Sequence, residues 1–129
     1  MKICLAARKL FSMASNQKLR VGNIVHLDIA GGHYGVIIKI DGPWATVITI
    51  THHPGRHGGR FQIQNSTRLG IASRGPSYFW SWPERYLLAR ISSSYGYIDE
   101  PQAKELVKSA DLDHETGYEF IRAVLQLAA

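Results

Sequence analysis

Residues 21–51 read Val21-Gly22-Asn23-Ile24-Val25-His26-Leu27-Asp28-Ile29-Ala30-Gly31-Gly32-His33-Tyr34-Gly35-Val36-Ile37-Ile38-Lys39-Ile40-Asp41-Gly42-Pro43-Trp44-Ala45-Thr46-Val47-Ile48-Thr49-Ile50-Thr51. The first part alternates. Val21, Asn23, Val25, Leu27 and Ile29 share one face, and Ile24, His26 and Asp28 the other, which predicts a half-buried strand over 21–29. Ala30-Gly31-Gly32 is a turn, where glycine permits positive φ. Residues 34–40 are apolar enough for a strand buried on both sides. Asp41-Gly42-Pro43 turns the chain again, and 45–51 is a third strand rich in β-branched residues. Strands joined by such tight turns form an antiparallel meander.

Further along, 53–59 is a glycine-rich loop and 60–64 a short strand. The stretch 65–76 is irregular, with a candidate strand at 69–72. Residues 77–82 read as an aromatic strand, and 86–91 as another strand or a short helical turn. Closely spaced short strands predict a barrel or sandwich. The tail is helical. Pro101 suits a first helical position after Asp99 or Glu100, and Ala103, Leu106, Val107 and Ala110 make an apolar face. Asp111-Leu112-Asp113 breaks this helix, and Asp113 can cap the next. There Tyr118, Ile121, Val124, Leu125 and Ala128 follow helical spacing. The two helices either close the barrel or offer a partner or dimer surface, and the acidic segment argues against a helix-turn-helix DNA reader. The expectation is one domain, mainly β (α+β): an N-terminal extension or short helix over 1–19, a compact antiparallel β-barrel over 20–98, and two short helices over 99–129 packed on it.

The 129 residues suit a single core, and 45% hydrophobic content excludes a chain disordered by composition. No apolar run approaches the ~20 residues of a membrane span. Cys4 is the one cysteine, so an internal disulfide is excluded and a reducing, cytoplasmic setting is expected. The acid-free, partly apolar start of the chain lacks a clean signal-peptide pattern, and Met13 is an alternative start. The net charge of +5 is uneven: residues 99–129 hold seven acids against Lys104, Lys108 and Arg122, so the body is basic and the tail acidic. A basic body favours a polyanion, because neutralising phosphates releases counterions.

Five of the six histidines, His26, His33, His52, His53 and His57, fall within residues 26–57, and Arg56 and Arg60 flank the same loop. Simple meander pairing brings His33 toward Thr51, His52 and His53. Histidine transfers protons near neutral pH, and arginine holds phosphate and offsets transition-state charge. RNA cleavage needs these parts, and surface histidines on a polar loop are the plain alternative. Zinc at His33, His52, His53 and His57 matches no standard ligand spacing and has no nearby cysteine or carboxylate, so no metal or other cofactor is expected. Tyr78, Phe79, Trp80 and Trp82 alternate along one strand, so two belong to the core while the exposed pair offers stacking surfaces for bases. Trp44, after a turn proline, is exposed or edge-packed.

The order of segments resembles the PemK/MazF-like toxins, the RNA-cutting partners of bacterial toxin–antitoxin pairs. Val21-Gly22-Asn23-Ile24-Val25-His26-Leu27 is similar to the family's Gly-Asp-Ile-Val strand, and His33-Tyr34-Gly35-Val36-Ile37-Ile38 stands where the family has Arg-Pro-x-Val-Val. Ile48-Thr49-Ile50-Thr51-His52 is similar to its Ile-Thr-Ser motif. Pro76-Ser77-Tyr78 and Leu87-Leu88-Ala89-Arg90-Ile91-Ser92 follow in family order. The resemblance covers roughly residues 20–110. It implies an SH3-like barrel, metal-independent phosphodiester cleavage, a homodimer and a neutralising antitoxin. It places Thr51 at the family's catalytic threonine or serine and His33 at its catalytic arginine, where this chain departs from the family pattern. On this reading His33, Thr51, His52 and His53 surround the scissile phosphate, while Arg56, His57, Arg60, Trp80 and Trp82 hold RNA. Two other functions compete. One is a non-catalytic SH3-like binding module. The other is a thiol amidase, since Gly32-His33 before Val36-Ile37-Ile38 also resembles the CHAP family, with Cys4 as nucleophile and His33 as base.

Overall fold

The computed structural model describes residues 18–28, 32–52 and 76–128. Their strands are β1 (Asn23–Leu27), β2 (His33–Asp41), β3 (Trp44–Thr51), β4 (Tyr78–Phe79), β5 (Glu84–Leu87) and β6 (Ile91–Tyr97). A 3-10 turn, Leu88–Arg90, joins β5 to β6, and the helices α1 (Glu100–Ser109) and α2 (His114–Ala128) follow. The expected strands at 60–64 and 69–72 lie outside the described residues.

The meander pairs as its alternation demands. Ile24 opposes Val36, and Val36 opposes Ile48, so β1, β2 and β3 are antiparallel neighbours. The sheet order is β4-β3-β2-β1-β6, with β5 also on β3. Strands β4 and β5 thus share one edge of β3: Tyr78 and Phe79 pair with Thr51 and Ile50, and Glu84–Leu87 with Val47–Trp44. This is a small α+β fold, a curled antiparallel SH3-like half-barrel with two C-terminal helices.

The sheet separates two cores. Between the sheet and the helices lie Ile24, Val36, Ile48, Ile50, Phe79, Leu106 and Phe120; inside the curl lie Val25, Leu27, Ile37, Ala45, Val47 and Ile91. This corrects the half-buried reading of β1. Asn23, Ile24, Val25 and Leu27 are all buried, because one face meets the inner core and the other lies under the helices. Asn23 is tolerated there because its amide is satisfied: Oδ1 accepts from Arg20 N at 2.7 Å and Nδ2 donates to Gly96 O at 3.1 Å. Before it, Gly22 has φ +96°, and a Cβ there would stand 2.8 Å from Leu127 Cδ1, so glycine lets α2 approach β1.

Three more expectations change. Of the aromatic stretch 77–82 only Tyr78 and Phe79 form a strand; Ser81 and Trp82 bend before Pro83, and Asp111 N donates to Ser81 O across that bend. Phe79 alone of its four aromatics is fully buried, whereas Tyr78 and Trp80 are half-buried and Trp82 is exposed. Strand β6 was not anticipated, because its Ser-Ser-Ser run shows no alternation. On α2, Ile121 and Val124 meet the core as expected, but Tyr118 and Leu125 face solvent and Gly117 and Phe120 turn inward in their place. Gly117 makes this possible: a Cβ there would stand 3.1 Å from Val107 Cγ1, so the bare backbone packs against α1.

Helix starts follow their capping residues. Asp99 Oδ1 accepts from Gln102 N at 3.0 Å with Pro101 in the first turn, and Asp113 Oδ1 accepts from Thr116 N at 2.6 Å. No helix among the described residues is long and apolar enough to cross a membrane.

Candidate functional site

His33 opens β2 and Thr51 ends β3. Tyr34 opposes Ile50 and Gly35 opposes Thr49. Carrying that register one residue further sets His33 against Thr51, on the sheet face shared with Gly35 and Thr49. The same face continues outward: Leu27 opposes His33 from β1, and Tyr78 opposes Thr51 from β4. Four strands thus converge at one end of the sheet. His33 is half-buried, Thr51 is buried, and His52 just beyond the strand is exposed.

The His52 ring is oriented by the start of β4. Its Nδ1 lies 3.2 Å from Pro76 O and 3.4 Å from Ser77 Oγ. A carbonyl oxygen only accepts, so Nδ1 is the donor in that contact, and in a neutral ring so held Nε2 is the acceptor. Residues 53–75, between His52 and Pro76 in the sequence, contain Arg56, Arg60, Arg68 and Arg74 and no acid. His53, Arg56, His57 and Arg60 therefore lie outside the described residues, as does Cys4.

Trp80 sits beside the site, its backbone N donating to Thr49 O at 2.8 Å, and Trp82 is 49% exposed past the bend. On the opposite face of the sheet, Tyr34 stands edge-on between two rings, His26 at 5.4 Å and Tyr95 at 5.2 Å. His26 therefore belongs to an aromatic cluster separate from His33. Among the described residues no group of three or more His, Cys, Asp or Glu side chains is placed to hold a metal ion.

A second feature escaped the sequence reading. A cleft of about 320 Å³ opens where the 3-10 turn carries the chain from β5 on β3 to β6 on β1. Arg85, Arg90, Trp44, Tyr86 and Asp28 line it, with Leu27 and Ile91 at its base. The Arg85 guanidinium lies 4.6 Å from the Trp44 ring centroid, a cation–π stack. Tyr86 donates to Glu84 Oε1 at 2.8 Å. Burial foremost, then that hydrogen bond and the carboxylate's charge, push the phenol up to about 12, against a smaller opposing effect of the Thr49 hydroxyl. The only hint in the sequence was the pairing of Trp44 with two arginines some forty residues later, which no local pattern connects.

No protein-family model matches the chain, and no curated protein matches it.

Proposed function

We propose that this chain is a PemK/MazF-like RNA-binding protein that cleaves single-stranded RNA without a metal. The observation that carries the reading is the sheet register bringing His33 alongside Thr51, with His52 next in the chain. In the reaction, a histidine takes the proton of the RNA 2′-hydroxyl. The 2′-oxygen attacks the adjacent phosphorus, and the bond to the 5′-oxygen breaks. A second histidine, protonated, gives its proton to that leaving oxygen. The products are a 2′,3′-cyclic phosphate and a 5′-hydroxyl, and no protein nucleophile is used.

His33 and His52 are the proton-transfer groups of this proposal. Thr51 offers a hydroxyl to the phosphate, and the arginines of 53–75 supply the cation that the transition state requires. The family's arginine is a permanent cation and an imidazole is not, so this reading takes the charge from a separate arginine. The same resemblance extends to a homodimer and an antitoxin protein as partners.

The test is incubation of the full chain with single-stranded RNA in chelator. Cleavage to cyclic-phosphate ends that is lost in His33→Ala supports the reading. Tight, salt-sensitive RNA binding without turnover would leave a non-catalytic binding module, and cleavage identical in wild type and His33→Ala would remove His33 from the chemistry.

A further inference from the structure

The cleft between Trp44 and Arg90 contains none of the groups assigned to cleavage, yet its chemistry suits a ligand. Arg85 and Arg90 make no ion pair with any described residue. The one acid in the lining, Asp28, leaves it net positive. Glu84, the nearest acid in sequence, is engaged by the Tyr86 phenol. The Trp44 ring is already covered by Arg85, so the cleft presents a planar guanidinium fixed in place. Nucleic-acid bases stack on guanidinium planes as well as on aromatic rings, and an arginine fork matches a phosphodiester's oxygens.

We propose that this cleft binds one nucleotide unit of a single-stranded nucleic acid, its base on the Arg85–Trp44 stack and its phosphate at Arg90. Asp28 then accepts a hydrogen bond from a base amino group. Leu27 lines the cleft and opposes His33 on the neighbouring strand, so the cleft adjoins the end of β1 that borders His33. The cleft goes beyond the cleavage reading: it concerns affinity, and it can exist whether or not the histidines cut.

The experiment is fluorescence-anisotropy titration of the full chain with a labelled single-stranded oligodeoxynucleotide at several salt concentrations. DNA lacks the 2′-hydroxyl, so binding is read free of cleavage. Arg90→Gln should weaken binding about tenfold and lower the slope of log affinity against log salt by about 0.7. Arg85→Lys should keep that slope but lose at least about fivefold in affinity, because the stacking plane is gone. Both side chains are exposed, and equal melting temperatures for variants and wild type establish that the fold is intact. Absence of oligonucleotide binding by the wild type, or wild-type affinity and slope in both variants, overturns the proposal. Arg90-dependent binding in a protein that leaves RNA uncut sustains the cleft and rejects the cleavage reading. RNA cleavage with binding indifferent to Arg85 and Arg90 does the reverse.

Discussion

Gly35 on β2 and Val47 on β3 lie so close that a Cβ at residue 35 would stand 2.6 Å from Val47 Cγ1. Leu27 Cδ1 and Ile48 O crowd the same point at 3.1 and 3.2 Å. The missing side chain lets three strands curl around the inner core. Gly35→Ala should destabilise the protein by about 1–3 kcal/mol through overpacking. In urea unfolding, the double variant with Val47→Ala should lose less than the sum of the two single losses, since one change vacates the space the other needs. Strict additivity would show that the two positions are not in conflict.

Phe120 is completely buried between α2 and the sheet, whereas Tyr118, two residues away, is 59% exposed. Phe120→Ala should cost about 3–5 kcal/mol and Tyr118→Ala within about 0.5 kcal/mol. The reverse order in denaturant midpoints would mean that α2 is rotated relative to this packing.

The helix caps make separate predictions. Asp99→Ala removes the acceptor for Gln102 N and should cost about 1 kcal/mol. Hydrogen bonds from the Thr116 side chain and backbone hold the Asp113 carboxyl below its ordinary 3.8. Its contribution is present above that value and fades as pH falls below it, because the unfolded chain takes up the proton first. Asp113→Asn should therefore flatten the acid limb of the stability profile, and an unchanged limb would place the effect elsewhere.

Tyr86 predicts behaviour in alkali. The folded phenol ionises at about 12 against 10.0 for a free tyrosine. Below 10.0 both states are protonated; between the two values the unfolded chain loses its proton and the folded one keeps it, so stability declines. Tyrosinate absorbance should show a late component that disappears in Tyr86→Phe, together with that window of pH-dependent loss. A late component surviving in Tyr86→Phe would belong to another tyrosine.

For the proposed cleavage, removing a proton-transfer group costs on the order of 10²–10⁴ in rate. His33→Ala and His52→Ala should each lose activity in that range, while Trp82→Ala should change only apparent RNA affinity. Single-turnover cleavage at saturating protein separates the two effects.

How legible each part was follows from the range of the forces involved. The alternation in 21–29, the apolar and β-branched runs after it, the glycine turns, Pro101 after Asp99 or Glu100 and the Asp113 cap are local, so the meander and both helix starts could be read directly. The stripe on α2 could not. Tyr118 and Leu125 satisfy helical spacing with Ile121 and Val124 as well as Gly117 and Phe120 do, and only the close approach of Gly117 to Val107 turns the face so that Gly117 and Phe120 join Ile121 and Val124 on the core while Tyr118 and Leu125 meet solvent. The candidate site divides the same way. His33 beside Thr51 follows from a two-turn meander, while the contact of His52 with Pro76 and Ser77 depends on where a strand returns after residues 53–75.

By itself, then, the sequence determined three consecutive antiparallel strands, a basic body with an acidic helical tail, and His33 near Thr51 and His52 at one end of the sheet. Tertiary structure alone decided that β4 and β5 share an edge of β3, that β6 completes the other side, and that Trp44, Arg85 and Arg90 meet in one cleft. The physical reason is that strand pairing between distant segments is chosen by which faces can be buried together, a property of the whole curled sheet that no single segment encodes.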